Sequence, residues 1–268
     1  MERKSANCHD DALRLRLRWL GCACFELDFH GITVVTDPWI TPNRQTDLTW
    51  ETVEQCDCIA LTHGHFDHIL DIPPLAKKFG SRILCAQGTA IPLMKWADVN
   101  PMSVYPMCPN LELDLDAVSI KAVFGRHGVL PGTINERIAS MKTHSIVGED
   151  AFLQELFFWG DVEYHNYLFT MPNGMKILLW GNPLNLPEQR NALLKEKPDI
   201  LLLQVTDRRT PVIAAKLCGQ IHCKAVIPYH TDFPGNYRHN ADALAAALAE
   251  YAPQTQYICP SYGQWICL

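Results

Sequence analysis

The chain has 268 residues, a formal net charge of −6, 48% hydrophobic residues and 19% charged residues. This length is enough to bury one sizeable core, and the composition is typical of a globular protein rather than a disordered one. The negative charge gives no general attraction to nucleic acids or to anionic membranes.

Neither a membrane span nor an export signal is predicted. The longest apolar runs, such as residues 177–180 and 200–203, are far shorter than the roughly 20 residues that cross a bilayer. The first residues are polar and lack the apolar core of a signal peptide. We therefore expect a cytoplasmic protein with neither a membrane nor a nucleic acid as a partner. The sequence is compatible with a homo-oligomer and leaves that state open.

The first part of the chain predicts strands and then a strand–loop–helix–strand unit. Residues 1–11 are polar and predicted to be disordered, and residues 12–268 are predicted to form a single domain. Strict alternation of apolar residues predicts the first strand, and Gly80 predicts the end of a helix. The predicted strands are 13–19, 24–29, 32–36, 58–62 and 82–86, and the predicted helix is 73–79.

The second part continues the alternation of strands and helices. Pro172, Asn173 and Gly174 form a strong turn signal between two strand-like runs and predict a hairpin. Residues 129–160 lack clear periodicity, and we interpret them as an insertion near the active site. Alternating strands and helices predict an α/β fold. The predicted strands are 118–124, 167–171, 176–180, 199–205 and 225–229, and the predicted helices are 186–197, 211–218 and 241–251.

One short segment carries the main functional signal. Three histidines and one aspartate fall within six residues, at His63, His65, Asp67 and His68. Imidazole and carboxylate groups suit zinc, iron or manganese, and Gly64 lets the backbone turn so that they converge. A solvated histidine-rich loop is the alternative, but eleven histidines in 268 residues would rarely place three in six positions by chance. The segment therefore predicts a metal site at a strand end, where α/β folds place their sites.

The same segment resembles the His-x-His-x-Asp-His signature of the metallo-β-lactamase fold superfamily. Residues 19–25, 36–38 and 227–230 are similar to the branch that contains the L-ascorbate 6-phosphate lactonases and related metal-dependent hydrolases. The resemblance implies an α/β fold of the αββα type, a four-layer sandwich of two mixed sheets with helices outside. It also implies a hydrolase that uses metal-bound hydroxide on an ester, lactone or phosphodiester.

The resemblance further implies two metal sites. Zinc is the expected metal, as one or two ions, with Mn²⁺ and Fe²⁺ as alternatives. Asp67 and His230 are the candidate catalytic residues, and Asp67 would both bind metal and accept the proton of the attacking water. Asp37 would hold the histidine loop in place by contacting the loop rather than the metal. The first site would use His63, His65 and His127, and the second would use Asp67, His68 and His230.

The chain departs from the family pattern at Asn182. The family has Gly-Asp-Thr after a late strand, and its aspartate bridges the two metals, whereas this chain has Gly181, Asn182 and Pro183 there. Two dications about 4 Å apart repel by on the order of 15–20 kcal/mol at an effective dielectric constant near 20. An amide offsets less of this repulsion than a carboxylate, so we expect tight occupancy of both sites to be impaired. Asp161 is the alternative carboxylate for the bridge.

Two further interpretations concern the substrate and the cysteines. The substrate is expected to be a small molecule, and surface arginines could hold an anionic group on it, with Arg126 first because it adjoins His127.

Cys22 and Cys24 are interpreted as core packing, because free cysteine is among the most buried residue types. The alternative function is a degenerate family member that binds a ligand or partner without turnover. The intact four-ligand loop favours the enzyme.

Overall fold

The computed structural model describes residues 15–127, 136, 139, 143, 146–181 and 183–268. The predicted disordered segment 1–11 and the metal-site candidate Asn182 lie outside the described residues. The strands are Arg16–Gly21 (β1), Cys24–Phe29 (β2), Ile32–Thr36 (β3), Cys58–Ala60 (β4), Arg82–Ala86 (β5), Val104–Met107 (β6), Glu112–Asp114 (β7), Ser119–Gly125 (β8), Tyr164–Thr170 (β9), Lys176–Trp180 (β10), Ile200–Gln204 (β11), Ala225–Tyr229 (β12), Gln256–Tyr257 (β13) and Trp265–Cys267 (β14).

Helices lie between these strands. Gly80 ends the second helix in a left-handed conformation with φ of 65°, as its position in the sequence predicts. The described α-helices are Phe66–Ile69 (α1), Ile72–Phe79 (α2), Gln87–Ala97 (α3), Ala151–Val162 (α4), Pro187–Glu196 (α5), Thr210–Ile221 (α6) and Arg238–Tyr251 (α7). None of the described helices is both long and apolar enough to span a membrane.

Two mixed sheets form the centre of the fold. Within the described residues each sheet has seven strands, in the orders β14-β1-β2-β3-β4-β5-β6 and β13-β12-β11-β10-β9-β8-β7. The first sheet begins with antiparallel hairpins and continues with parallel strands from β3 to β6. The second sheet is antiparallel from β7 to β10 and parallel from β10 to β13. The predicted α/β fold with two mixed sheets and outer helices is confirmed.

Side-chain alternation along the strands divides the core into layers. Phe25 of β2 and Phe169 of β9 belong to one buried cluster that contains residues of both sheets and therefore lies between them. A second buried cluster joins the other face of β10–β12 to α5, α6 and α7, and a third joins the other face of β3–β5 to α2, α3 and α4. The order of layers is therefore helix, sheet, sheet, helix.

Tyr167 ties the two sheets together beside the histidine loop. This buried side chain lies on β9, and its hydroxyl donates to the carbonyl oxygens of Leu61, at 2.8 Å, and Leu84, at 3.2 Å. Leu61 follows β4, and Leu84 lies on β5, so both acceptors belong to the opposite sheet. The hydroxyl therefore fixes the distance between the sheets where the site forms.

We expect Tyr167→Phe to lower the free energy of unfolding by about 1–2 kcal/mol, because it removes the donor from the buried Leu61 carbonyl, whereas the Leu84 carbonyl still accepts from the Leu61 amide. Urea denaturation would measure the change. Tyr251→Phe is the control, since Tyr251 is 38% exposed, and its effect should stay within about 0.5 kcal/mol. Equal effects of the two substitutions would contradict this role of the Tyr167 hydroxyl.

Candidate metal centre

The site forms where strands of both sheets end side by side. Asp37 follows β3, the histidine loop follows β4, His127 follows β8 and His230 follows β12. Parallel strands end at the same edge of their sheet, so residues far apart in the chain meet there. The structure thus brings the described predicted site residues to one edge of the sandwich.

Helix α4 packs directly on the histidine loop through two glycines. A Cβ atom at Gly64 would lie 2.4 Å from the carbonyl oxygen of Leu156, and one at Gly160 would lie 2.9 Å from the backbone nitrogen of His65. Real Cβ atoms do not approach other atoms this closely, so both positions require glycine. The close contact brings the carboxylate of Asp161 next to the loop. The sequence had left this segment without an assigned structure.

His63, His65 and His127 form the first cluster. Each offers one ring nitrogen, and these three nitrogens all lie within 4.8 Å of one another. His63 and His65 are buried, whereas His127 is exposed at the rim. Burial lowers the pKa of His63 well below its usual range, and His68 and His65 lower it further. His63 is therefore neutral near pH 7, and a neutral imidazole has a lone pair available for a metal.

The second cluster contains the predicted Asp67, His68 and His230, and also Cys22. Their ligand atoms lie within 4.8 Å of one another, and all four residues are buried. Oδ2 of Asp67 is 3.7 Å from Nε2 of His68 and 3.7 Å from Nε2 of His230. Burial acts to raise the pKa of Asp67, but the neighbouring histidines, His68 first, more than offset it and lower this pKa. The carboxylate is thus an anion.

Oxygen atoms next to the two clusters orient the imidazole rings of the histidines. Oδ2 of Asp37 lies 3.0 Å from Nδ1 of His68 and accepts from the hydroxyl of Thr62 at 2.7 Å, while Oδ1 accepts from the Thr62 amide at 2.7 Å. The Thr62 hydroxyl is 3.0 Å from Nδ1 of His63, and the carbonyl of Phe233 accepts from Nδ1 of His230. In each case the other ring nitrogen, Nε2, remains available for a metal.

Asp161 approaches the first cluster from α4. Its Oδ1 is 3.2 Å from Nε2 of His65, and the side chain is buried. With Nε2 facing this carboxylate, Nδ1 of His65 is the ring nitrogen that could bind a metal. The sequence singled out Asp161 as the alternative carboxylate for the bridge. The structure places it on a helix, where it contacts His65, and its role as a bridge stays a prediction.

The donor set fits a divalent transition metal. Imidazoles and a carboxylate converge in two adjacent clusters, and the second nitrogens of His63, His68 and His230 face oxygen atoms of the protein. This combination of imidazole nitrogen and carboxylate oxygen donors suits zinc, iron or manganese better than magnesium or calcium. The fold and the site together define a metal-dependent hydrolase of the metallo-β-lactamase fold.

Comparisons with known proteins agree with this class. A family model described as a beta-lactamase superfamily domain matches residues 16–230, and the chain belongs to that superfamily. A UPF0173 metal-dependent hydrolase from Koribacter versatilis is 27% identical over 226 residues, which are 82% of this chain and 85% of the relative. One from Staphylococcus aureus is 35% identical over 113 residues, or 42% of this chain and 48% of the relative.

Solved structures show the same fold at low identity. Igni18, a metallo hydrolase from Ignicoccus hospitalis, has a TM-score of 0.67 and 16% identity, and the match covers 95% of this chain and 98% of that one. A metallo-β-lactamase fold protein from Bacillus subtilis has a TM-score of 0.61 and 12% identity, with coverage of 95% and 100%. The superfamily expected from the histidine motif is confirmed, whereas the ascorbate lactonase branch stays a prediction.

We expect Asp161→Asn to weaken metal binding by about 10–100-fold, because this is the usual effect of losing a carboxylate that contacts a metal-binding histidine. Titration of the metal-free protein with Zn²⁺ against a chromophoric chelator would measure it. Asp150→Asn is the matched control, because this exposed residue caps the same helix through the amides of Phe152 and Leu153. Unchanged affinity in Asp161→Asn would show that its contact with His65 has no part in metal binding.

The metal-free protein should lose stability on acidification, in part through His165. This residue lies on β9, and burial lowers its pKa to about 4. The pKa of a histidine in the unfolded chain is near 6.5, so at a pH between about 4 and 6.5 unfolding takes up a proton at His165. The free energy of unfolding therefore falls by about 2 kcal/mol by pH 5.

His165→Gln should reduce that loss between pH 7 and pH 5 in urea denaturation. His30→Asn, at an exposed turn, serves as the control and should keep the wild-type pH dependence. A pH dependence in His165→Gln equal to that of the wild type would contradict the assignment.

Proposed function

We propose that the protein hydrolyses an ester, lactone or phosphodiester bond in a small, anionic molecule with the help of one or two zinc ions. His63, His65 and His127 would hold the first ion, and Asp67, His68 and His230 would hold the second. The observation that carries the proposal is the convergence of these two clusters, of which only His127 is exposed, at one sheet edge. Mn²⁺ and Fe²⁺ are the alternatives that the same donors accept.

A divalent ion in this centre supplies Lewis acidity: it lowers the pKa of water and polarises the bond under attack. Asp67 stays ionised beside its histidines and can accept a proton from water or orient it. Burial lowers the pKa of His230, and Asp67 opposes this shift only in part. His230 is therefore neutral near pH 7, and its bond to the Phe233 carbonyl fixes its orientation.

Two adjoining cavities beside His127 offer room for the substrate. One of about 220 Å³ is lined by His127, Gly181, Pro183, Gln204, Thr206, Asp207 and Thr210. The next, of about 510 Å³, shares Thr206 and Asp207 and adds Arg208, Arg209, Tyr237, His239 and Asn240. A substrate bound across them would present its scissile bond to the metal centre and the rest of its structure to the second cavity.

Arg208 is the favoured partner for an anionic group of the substrate. Arg209 lies 2.6 Å from Asp207, and Arg126 lies 3.6 Å from Glu188, so carboxylates already accompany these two cations. Arg208 lines the larger cavity and is exposed to it. The expectation for Arg126 stays a prediction, and Arg208 is proposed beside it.

Metal removal and ligand substitution test the proposal. Chelation should abolish hydrolysis of a panel of lactone, ester and phosphodiester substrates, and Zn²⁺ should restore it. His63→Ala should lower kcat/KM by more than about 100-fold. Even the loss of a residue that only hydrogen-bonds to a metal ligand lowers metal affinity or activity by about 10–100-fold. His30→Asn, at an exposed turn, should retain wild-type activity.

Elemental analysis of protein purified without chelators separates the enzyme from a degenerate binding protein. One or two equivalents of metal, with activity that follows the metal content, supports the hydrolase. A metal-free protein that still binds a small ligand, or hydrolysis that survives in His63→Ala, contradicts it.

A further inference from the structure

Cys22 directs a buried thiol into the second cluster. It lies in the turn between β1 and β2, and its side chain is fully buried. Its Sγ is 3.5 Å from Nε2 and 3.7 Å from Nδ1 of His230, and 3.9 Å from Oδ2 of Asp67. Cys22 also belongs to the buried cluster between the sheets, as the packing interpretation expects. That interpretation does not account for the contacts of the sulfur with two polar ligand atoms.

The distances between these ligand atoms are close to those in a zinc coordination sphere. Bond lengths of about 2.3 Å to sulfur and about 2.0–2.1 Å to nitrogen place the two ligand atoms about 3.5 Å apart at a tetrahedral angle. The observed distance from Sγ of Cys22 to Nε2 of His230 is 3.5 Å. The corresponding distances to Asp67, 3.9 Å from Cys22 and 3.7 Å from His230, exceed the tetrahedral values by less than about 0.5 Å.

The backbone holds Cys22 in a conformation that packing alone does not require. Its φ is 46°, in the left-handed region that non-glycine residues adopt only when their surroundings impose it. Its amide donates to both carboxylate oxygens of Asp232, at 3.2 and 3.1 Å. Its carbonyl accepts from Nε1 of Trp19 and from the amide of His230, each at 3.0 Å. The turn is thus tied directly to the backbone of a second-cluster residue.

Charge supports the same assignment. Asp67 is the one carboxylate among the expected ligands of this cluster, so a dication held by Asp67, His68 and His230 alone would keep one uncompensated positive charge. A thiolate at Cys22 removes that excess charge inside a buried site, where an uncompensated charge is costly. This compensation does not need a carboxylate at position 182, where the sequence has an asparagine.

We infer that Cys22 is a thiolate ligand of the metal ion in the second cluster, together with Asp67, His68 and His230. The inference rests on the metal centre of the proposed function and deepens it. On binding, the thiol proton leaves to solvent, and a sulfur lone pair forms the bond to the metal. A soft sulfur donor favours zinc, cobalt or cadmium over manganese or magnesium at this site, against the harder ion that Asp67 alone would favour.

Cobalt substitution tests the inference without relying on activity. The metal-free protein is titrated with Co²⁺, and the near-ultraviolet spectrum is followed for the charge-transfer band of a cobalt–thiolate bond. We expect the wild-type protein to develop this band. Cys22→Ser should lack it and should bind the second equivalent at least about tenfold more weakly.

Cys24→Ser is the matched control. Cys24 is also fully buried and lies only two residues away, but it belongs to the cluster on the other side of the first sheet. It should keep both the band and the affinity for two equivalents. Circular dichroism would verify that each variant is folded. If Cys22→Ser fails to fold, a wild-type protein that binds Co²⁺ without the cobalt–thiolate band still overturns the ligand assignment.

The outcomes separate this inference from the proposed function. Two bound equivalents without a cobalt–thiolate band in the wild type, or a band that persists in Cys22→Ser, overturn the ligand assignment and leave the metal centre standing. Failure of the protein to bind Co²⁺ or Zn²⁺ at all overturns both. A band lost in Cys22→Ser and kept in Cys24→Ser supports the assignment.

Discussion

The buried carboxylate of Asp37 is the interaction on which the arrangement of the site depends. It accepts from the amide and hydroxyl of Thr62 and lies 3.0 Å from Nδ1 of His68. Burial acts to lower the pKa of His68, but Asp37 and Asp67 outweigh it and raise this pKa. A buried anion is stable only when its oxygen atoms are paired, so Asp37 and the loop hold each other in place. A loop that released Asp37 would also lose the orientation of two metal-site histidines.

Around this anchor, the fold uses two sheets to assemble one centre. The first sheet contributes the histidine loop and Cys22, whereas the second contributes His127 and His230. Tyr167 joins the sheets through the carbonyl oxygens of Leu61 and Leu84 just before the loop begins. The spacing between the sheets therefore sets the spacing between the two ligand groups, and stability and metal binding are coupled at this edge.

Much of this fold could be predicted from local patterns, because strand alternation and turn residues act over a few positions. Gly80 and the turn after β9 mark element ends in the sequence and in the structure. Helix α4 was missed because its apolar residues are not confined to one face, which hides a helical period. The approach of Asp161 to His65 and of Cys22 to His230 depends on tertiary packing, since no local spacing relates these residues. The histidine loop was identifiable because its four donors are close in sequence.

The close packing of Gly64 and Gly160 has a consequence for sequence change in this protein. A methyl group at either position would overlap the backbone of the other segment, at Leu156 or His65. Substitutions in the loop and in helix α4 therefore have to preserve this close contact together. A chimaera that received this helix from a relative would keep a functional loop only if the donor sequence carried glycine in the same register.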